Sequence, residues 1–310
     1  MAVKRFLIFP VLILVIFIVL RFFFEKNDSV PSFDAHETSD KIVFNRIISM
    51  APNITETLFA LGLGNRVAGV TDFCNYPYEA REKAKVGGYF NPNYEAIAAL
   101  EPDLVFVLPE HEEIRNYLRV LGIQYRVVHN RTVGEILDTI MTIGRICGVE
   151  EQAREMVEDI NYRMDNIQKR TESKPHPSVL IVISRTIGTG SLKDVCVAGK
   201  NTSYDELITF AGGRNAYVGV SITYPALSAE GLLNINPDII IDLIPDTESK
   251  GLDENMFLKE WESVSSLEAV NNNRVYIISN DYAFIPGPRF IIFLEDLARI
   301  ICPEIKTSSL

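Results

Sequence analysis

The chain has 310 residues, 47 % of them apolar and 23 % charged, ordinary globular values with room for more than one core. Its formal charge is −11, and the first 26 residues carry Lys4, Arg5, Arg21 and Lys26 against Glu25, so the remainder carries −14. So acidic a body excludes nucleic acid, whose phosphates require a basic face, and argues against lying on anionic lipid.

The N-terminus is a membrane signal. Lys4 and Arg5 precede an apolar run from Phe6 to Leu20, and Arg21 is followed by Phe22, Phe23 and Phe24. Phe6 to Phe24 is long enough for a hydrocarbon core of about 30 Å, and Arg21 can snorkel outward. Basic residues before the run keep the N-terminus cytoplasmic and place the rest outside. A cleaved signal peptide has a similar apolar core. No small-x-small site follows the run and no Cys is placed for lipidation, which favours an uncleaved anchor in 1–26 over a cleaved signal segment, with a polar tether in 27–44; both readings stay open.

From Arg46 the pattern alternates. Arg46–Met50 predicts a strand, Thr55–Leu61 a helix ended by Gly62, and Val67–Val70 a strand. Tyr94–Leu100 predicts a helix, Leu104–Leu108 a strand, Ile114–Leu121 a helix ended by Gly122, and Gln124–Val128 a strand. Strand and helix in alternation predict a parallel α/β sheet. A long helix follows over Glu150–Arg170, with Ala153, Met156, Val157, Ile160, Met164 and Ile167 at helical spacing. Glu150 and Glu151 open it and Lys169 and Arg170 close it, in accord with the helix dipole. The α/β pattern then restarts with strands Val179–Ser184, Ile239–Leu243 and Val275–Ile278, and helices Tyr204–Phe210 and Arg289–Ile301.

The halves share a repeat. Glu95-Ala96-Ile97-Ala98-Ala99-Leu100-Glu101-Pro102-Asp103-Leu104-Val105 parallels Glu230-Gly231-Leu232-Leu233-Asn234-Ile235-Asn236-Pro237-Asp238-Ile239-Ile240. Each copy reads as a helix, a Pro-Asp turn and a buried strand. The fold expected is α/β, with two Rossmann-like lobes at 45–148 and 173–310 joined by one long backbone helix at 149–172.

Several ordered segments carry a resemblance to a known family. Arg46-Ile47-Ile48-Ser49-Met50-Ala51-Pro52-Asn53-Ile54-Thr55-Glu56, Val67-Ala68-Gly69-Val70-Thr71-Asp72-Phe73-Cys74-Asn75-Tyr76-Pro77, Lys85-Val86-Gly87-Gly88-Tyr89 and Glu101-Pro102-Asp103-Leu104-Val105 resemble the class III periplasmic solute-binding proteins of ABC importers. The resemblance runs from about Asn45 to Cys302, and the Asp72–Pro77 segment and Tyr89 are most similar to the vitamin B12-binding members. It implies a rigid pair of lobes that holds cobalamin or a related corrinoid in the cleft. A ferric siderophore or haem is the alternative within the same importer class. It also implies an extracytoplasmic location, no catalysis, no resident cofactor, and delivery to a permease dimer driven by a cytoplasmic ATPase.

The resemblance also assigns candidate residues. Phe73, Tyr89 and Tyr224 fall where vitamin B12 binders present aromatics, although tyrosine stands where tryptophan is expected. Flat rings suit a corrin face. Tyr76, Phe90, Tyr282 and Arg289 are further cleft candidates, and Arg289 could equally start the last helix. Glu95 and Glu230 are the expected docking charges, one per lobe. Their local alternative is a favourable place at a helix N-terminus.

Other chemistries find little support. His36, His111, His129 and His176 lack metal-ligand spacing, so no metal site is expected. Gly188-Thr189-Gly190-Ser191 lacks the Lys of a P-loop and reads as a cleft loop. Cys74, Cys147, Cys196 and Cys302 fit no metal motif, and isolated buried thiols or one bridge remain open. Arg185, Lys193, Lys200 and Arg289 are the few cations that the cleft segments offer to an anionic chelate.

Overall fold

The computed structural model describes residues 43–220, 222–245 and 254–304. The expected anchor in 1–26 and nearly all of the tether in 27–44 lie outside the described residues, as does His36.

In the first lobe the order is β1 (Ile47–Ser49), α1 (Pro52–Ala60), β2 (Val67–Val70), β3 (Ala84–Lys85), α2 (Tyr94–Ala99), β4 (Leu104–Val107), α3 (Glu112–Val120), β5 (Tyr125–Val127) and α4 (Val133–Cys147). The five strands form one parallel sheet in the order β3-β2-β1-β4-β5. β1 and β4 are buried along their whole length, as a strand covered by helices on both faces requires.

Helix α5 (Glu150–Thr171) leads to the second lobe. It buries Ala153, Ile160, Met164 and Ile167, the apolar face its sequence period predicts. Its 22 residues span about 33 Å at 1.5 Å per residue. There follow β6 (Ser178–Thr186), β7 (Lys193–Val197), α6 (Ser203–Phe210), β8 (Arg214–Asn215), β9 (Ala226–Leu227), α7 (Ala229–Ile235), β10 (Ile239–Leu243), α8 (Glu254–Trp261), α9 (Glu268–Asn271), β11 (Val275–Ile278) and α10 (Phe290–Ile301). The sheet order is β11-β10-β6-β7-β9, with β8 also paired to β6. β8, β10 and β11 join β6 in a parallel arrangement. β7 and β9 depart from the expected parallel sheet: β7 is antiparallel to β6, and β9 to β7. Thr186 and Lys193 are joined by too few residues for a parallel crossover, so the chain turns back as a hairpin.

The sequence repeat has a physical basis. Asn93 caps α2 by accepting from the Ala96 amide, and Ser228 caps α7 by accepting from Gly231. Each helix ends on a residue of positive φ, Glu101 at 43° and Asn236 at 42°. The aspartate after each proline then ties in the first strand of its lobe. Asp103 accepts from the amides of Asn45 (2.7 Å) and Arg46 (3.1 Å), and Asp238 from the amide of Ser178 (2.6 Å).

Covalently, only α5 passes between the lobes, yet one apolar core runs through both. Ile54, Phe106, Ile140, Ile160, Ile181, Leu207 and Phe293 belong to it. Two polar joints support it: Ser203 N–H donates to the Arg131 carbonyl (2.6 Å), and Val133 N–H to Glu206 (2.5 Å). A continuous core resists hinge motion because packed interiors do not deform smoothly.

Candidate functional site

Open parallel sheets bind ligands beyond the C-terminal ends of their strands, and most of the candidate residues lie there. After β2, Thr71 and Cys74 are fully buried while Phe73 is 60 % exposed. The cause is local. The Cys74 thiol accepts from Thr55 Oγ1 at 3.0 Å and lies 3.1 Å from Thr71 Oγ1, while Lys85 Nζ donates to the Cys74 carbonyl at 3.3 Å. With its neighbours tied inward, Phe73 is left outward.

After β3, Gly87 adopts φ 87°, and a Cβ there would meet Asn93 N at 2.5 Å. Only glycine fits this turn, which presents Tyr89 and Phe90. Tyr89 stands edge-on to Phe90 and to His111, with centroids 4.6 Å apart in both cases, and its hydroxyl donates to Glu110. Burial, then the Glu110 bond, raises the Tyr89 pKa. His111 is buried, its Nδ1 accepts from the Leu108 amide (3.2 Å), and burial lowers its pKa.

In the second lobe the β6–β7 loop is braced from within. Glu260 Oε1 accepts from the amides of Gly188 (2.9 Å), Thr189 (3.0 Å) and Gly190 (3.2 Å). The glycine-rich loop is thus an anion-binding nest that the protein's own carboxylate fills. Glu260 also pairs with Arg185, which bonds Asp242 at 2.7 Å. Trp261 Nε1 donates to the same Asp242 oxygen at 2.9 Å.

Between β8 and β9 an irregular segment exposes the apolar side chains of Val218, Val220, Ile222 and Tyr224, and Thr223 with them. It is pinned where Gly199 N–H donates to the Thr223 carbonyl (2.8 Å) and Val197 N–H to that of Pro225 (3.0 Å).

Of the other candidates, Tyr76 is 45 % exposed and Phe90 75 %. Tyr282 is partly buried and donates to Asp296 at 2.6 Å. Arg289 immediately precedes α10, but its guanidinium turns to other groups. It donates to both Glu56 oxygens (2.9 and 2.5 Å) and to Asp281 (2.7 Å), and it lies 3.7 Å from the Tyr76 ring centroid. Burial raises the Glu56 pKa against the pull of Arg289. Glu56, Glu110, Asp281 and the Val218–Ile222 strip were not anticipated from the sequence. The two-residue alternation of the strip was its one visible signal.

Glu95 and Glu230 are both exposed, each second in its helix. A separate hollow of about 730 Å³ lies beside α1, lined by Glu56, Phe59, Tyr76, Glu79 and Lys83 among others. It includes neither Phe73, Tyr89 nor Tyr224. All four cysteines are free. Among the described residues no three His, Cys, Asp or Glu side chains gather to hold a metal ion, and no helix is long and apolar enough to cross a membrane.

Comparison with known proteins agrees with this architecture. An uncharacterized ABC transporter substrate-binding lipoprotein of Bacillus subtilis, YvrC, is 28 % identical over 267 residues, covering 84 % of this chain and 80 % of that protein. The vitamin B12-binding protein of Vibrio cholerae is 26 % identical over 263 residues, covering 84 % and 89 %. The solved structure of apo RhuT, a periplasmic heme-binding protein from Roseiflexus sp. RS-1, matches with a TM-score of 0.71 at 25 % identity, covering 84 % of this chain and 99 % of that one. The periplasmic binding protein family matches residues 47–282, so the chain belongs to that family: it is a solute-binding protein of the ABC-importer class, and not an enzyme.

Proposed function

We propose that the chain captures cobalamin or a related corrinoid between its lobes and delivers it to the permease of an ABC importer. The observation that carries this reading is a set of exposed rings, together with carboxylates that already hold three of the four cations of the candidate cleft segments; the fourth, Lys193, is exposed. Phe73, Tyr76, Phe90 and Tyr224 are exposed, and such rings suit a broad, largely apolar ring system. Arg185 is held by Asp242 and Glu260, Arg289 by Glu56 and Asp281, and Lys200 by Asp205 at 2.9 Å. An anionic ferric siderophore, or a haem with its propionates, would have to compete with these carboxylates. Likeness to the Vibrio cholerae vitamin B12-binding protein supports the same choice.

Isothermal titration with cyanocobalamin tests it. Saturable heat at micromolar protein is expected. No heat with cyanocobalamin, together with saturable binding of hemin or a ferric siderophore, overturns the corrinoid reading.

Within this proposal Glu95 and Glu230 meet basic residues of the permease dimer, one from each lobe. Opposite charges at two matching points set register and speed encounter. The segment 1–26 holds the protein at the outer face of the cell membrane.

A further inference from the structure

Arg289 has an unusual set of partners for a residue beside a helix start. A cation there opposes the helix dipole, so α10 gains nothing from it locally. Glu56 lies inside α1 in the other lobe, with its side chain 2 % exposed, and a carboxylate so buried requires a cation. The two meet in a bidentate fork, the strongest geometry open to this pair. The backbone closes around them: a Cβ on Gly287 would lie 3.3 Å from Asn53 Cα and 3.4 Å from Glu56 Oε2.

Two features set this joint apart from the Ser203–Arg131 and Glu206–Val133 links. Its flanking groups come from candidate ligand-facing loops: Tyr76 follows β2 and Asp281 follows β11. It is also charged and directional, whereas the shared apolar core resists opening through contacts that have no preferred direction.

We propose that Arg289 is an interlobe latch, a positioning residue that fixes the separation of the two lobes before ligand arrives. The fork between Arg289 and Glu56 sets the distance, and Asp281 and the Tyr76 ring hold the guanidinium in its plane. A ligand that moves Tyr76 therefore disturbs the latch, which couples occupancy of the cleft to lobe separation.

The test needs no ligand. In a Cys196→Ser background, exposed Glu113 and Glu262 are changed to cysteine and spin-labelled, and their distance distribution is measured by pulsed dipolar spectroscopy. The parent should give one narrow peak. Arg289→Lys and Glu56→Gln each remove the fork with little change in volume, and each should broaden the peak by at least about twofold. Ile48→Val weakens a core cluster made of first-lobe residues alone without touching the fork and should leave the width unchanged. Circular dichroism confirms that every variant is folded. If the folded Arg289→Lys and Glu56→Gln proteins keep the parent's peak and width, the latch is refuted. The readout is taken without ligand, so it stands whether or not cyanocobalamin binds.

Discussion

The buried network around Arg185 makes the sharpest energetic prediction. The Arg185 side chain is 1 % exposed and neutralises two carboxylates, Asp242 at 0 % and Glu260 at 4 %. Its guanidinium lies 5.9 Å from the ring centroid of Trp261, which packs in a buried cluster with Leu180, Val182, Val195 and Ile240. Arg185→Met keeps much of the volume but leaves two like charges in an apolar setting. Burial already pushes the Asp242 carboxyl up while Arg185 holds it down, and one Asp242 oxygen has no partner among the described residues. Breaking a buried pair costs about 3–5 kcal/mol, and the loss here falls near the middle of that range: two carboxylates lose their cation at once, while the loop amides and Trp261 Nε1–H still bond to them. At a urea dependence of roughly 2–3 kcal/mol per molar, the midpoint drops by about 1.5 M. The triple variant Arg185→Met, Asp242→Asn, Glu260→Gln removes every charge and leaves acceptors for Trp261 and the loop amides. It should recover at least about 2 kcal/mol of the loss, since uncharged replacements of buried ion networks are often tolerated. Trp261 is the only tryptophan in the sequence and touches the network, so its fluorescence follows unfolding directly. A triple variant as unstable as the single one would refute the argument that uncompensated charge is the cause.

Three shorter predictions follow from other parts of the molecule. Gly199→Ala would place a Cβ 2.6 Å from the Ile222 carbonyl and 2.7 Å from that of Thr223; the Val218–Tyr224 strip must shift, and cyanocobalamin affinity measured by titration should fall by about tenfold. Asp238 is pushed up by burial but held lower overall by the Ser178 bonds. A depressed carboxylate contributes stability above its unfolded pKa and loses it as pH falls, so Asp238→Asn should cost about 1–2 kcal/mol at pH 7 and progressively less below about pH 4 in urea titrations. Cys196 is the one cysteine that is not buried, and burial pushes the Cys147 thiol up to about 11; a thiol-reactive chromophore should label one equivalent in native protein and the other three only in denaturant.

Much of the architecture is visible in residue pattern. β10 and β11 coincide with the predicted strands Ile239–Leu243 and Val275–Ile278, and the long helix differs from its predicted span by one residue. The helix is strongly periodic, β10 lies between Pro237 and Pro245, and β11 is an apolar run between asparagines, so local signals agree with tertiary packing. Helix α4 is absent from the predicted elements, although Thr132 accepts from the Glu135 amide, Gly148 ends the helix at φ 74°, and Val133, Ile136, Ile140 and Ile143 share a face. Its signal was present in the sequence. β8 and β9 are different, because short strands take their pairing from neighbours remote in sequence; β7 pairs with the strand just before it as a hairpin. The candidate site divides in the same way. Exposed Phe73 and Phe90 follow from local turn chemistry, whereas Glu56, the buried partner of Arg289, lies on a helix more than two hundred residues away and could not be read from its surroundings.

The repeat allows the local and the docking readings of Glu95 and Glu230 to be separated. A glutamate at the second helical position favours the dipole by about 0.3–1 kcal/mol. In both lobes the cap is already made by another side chain, Asn93 or Ser228, so neither glutamate is needed to satisfy a helix amide. Both are exposed, and the turn that follows each helix ties into the first strand of its lobe through Asp103 or Asp238. The two carboxylates thus stand at equivalent points on two stiff frames, an arrangement that helix capping does not require and a two-sided partner does. Double charge reversal, Glu95→Lys with Glu230→Lys, should therefore cost no more than about 2 kcal/mol of stability and leave cyanocobalamin affinity unchanged, while uptake by cells that carry the importer is lost. Retention of uptake by the folded double variant would leave the helix dipole as the whole explanation.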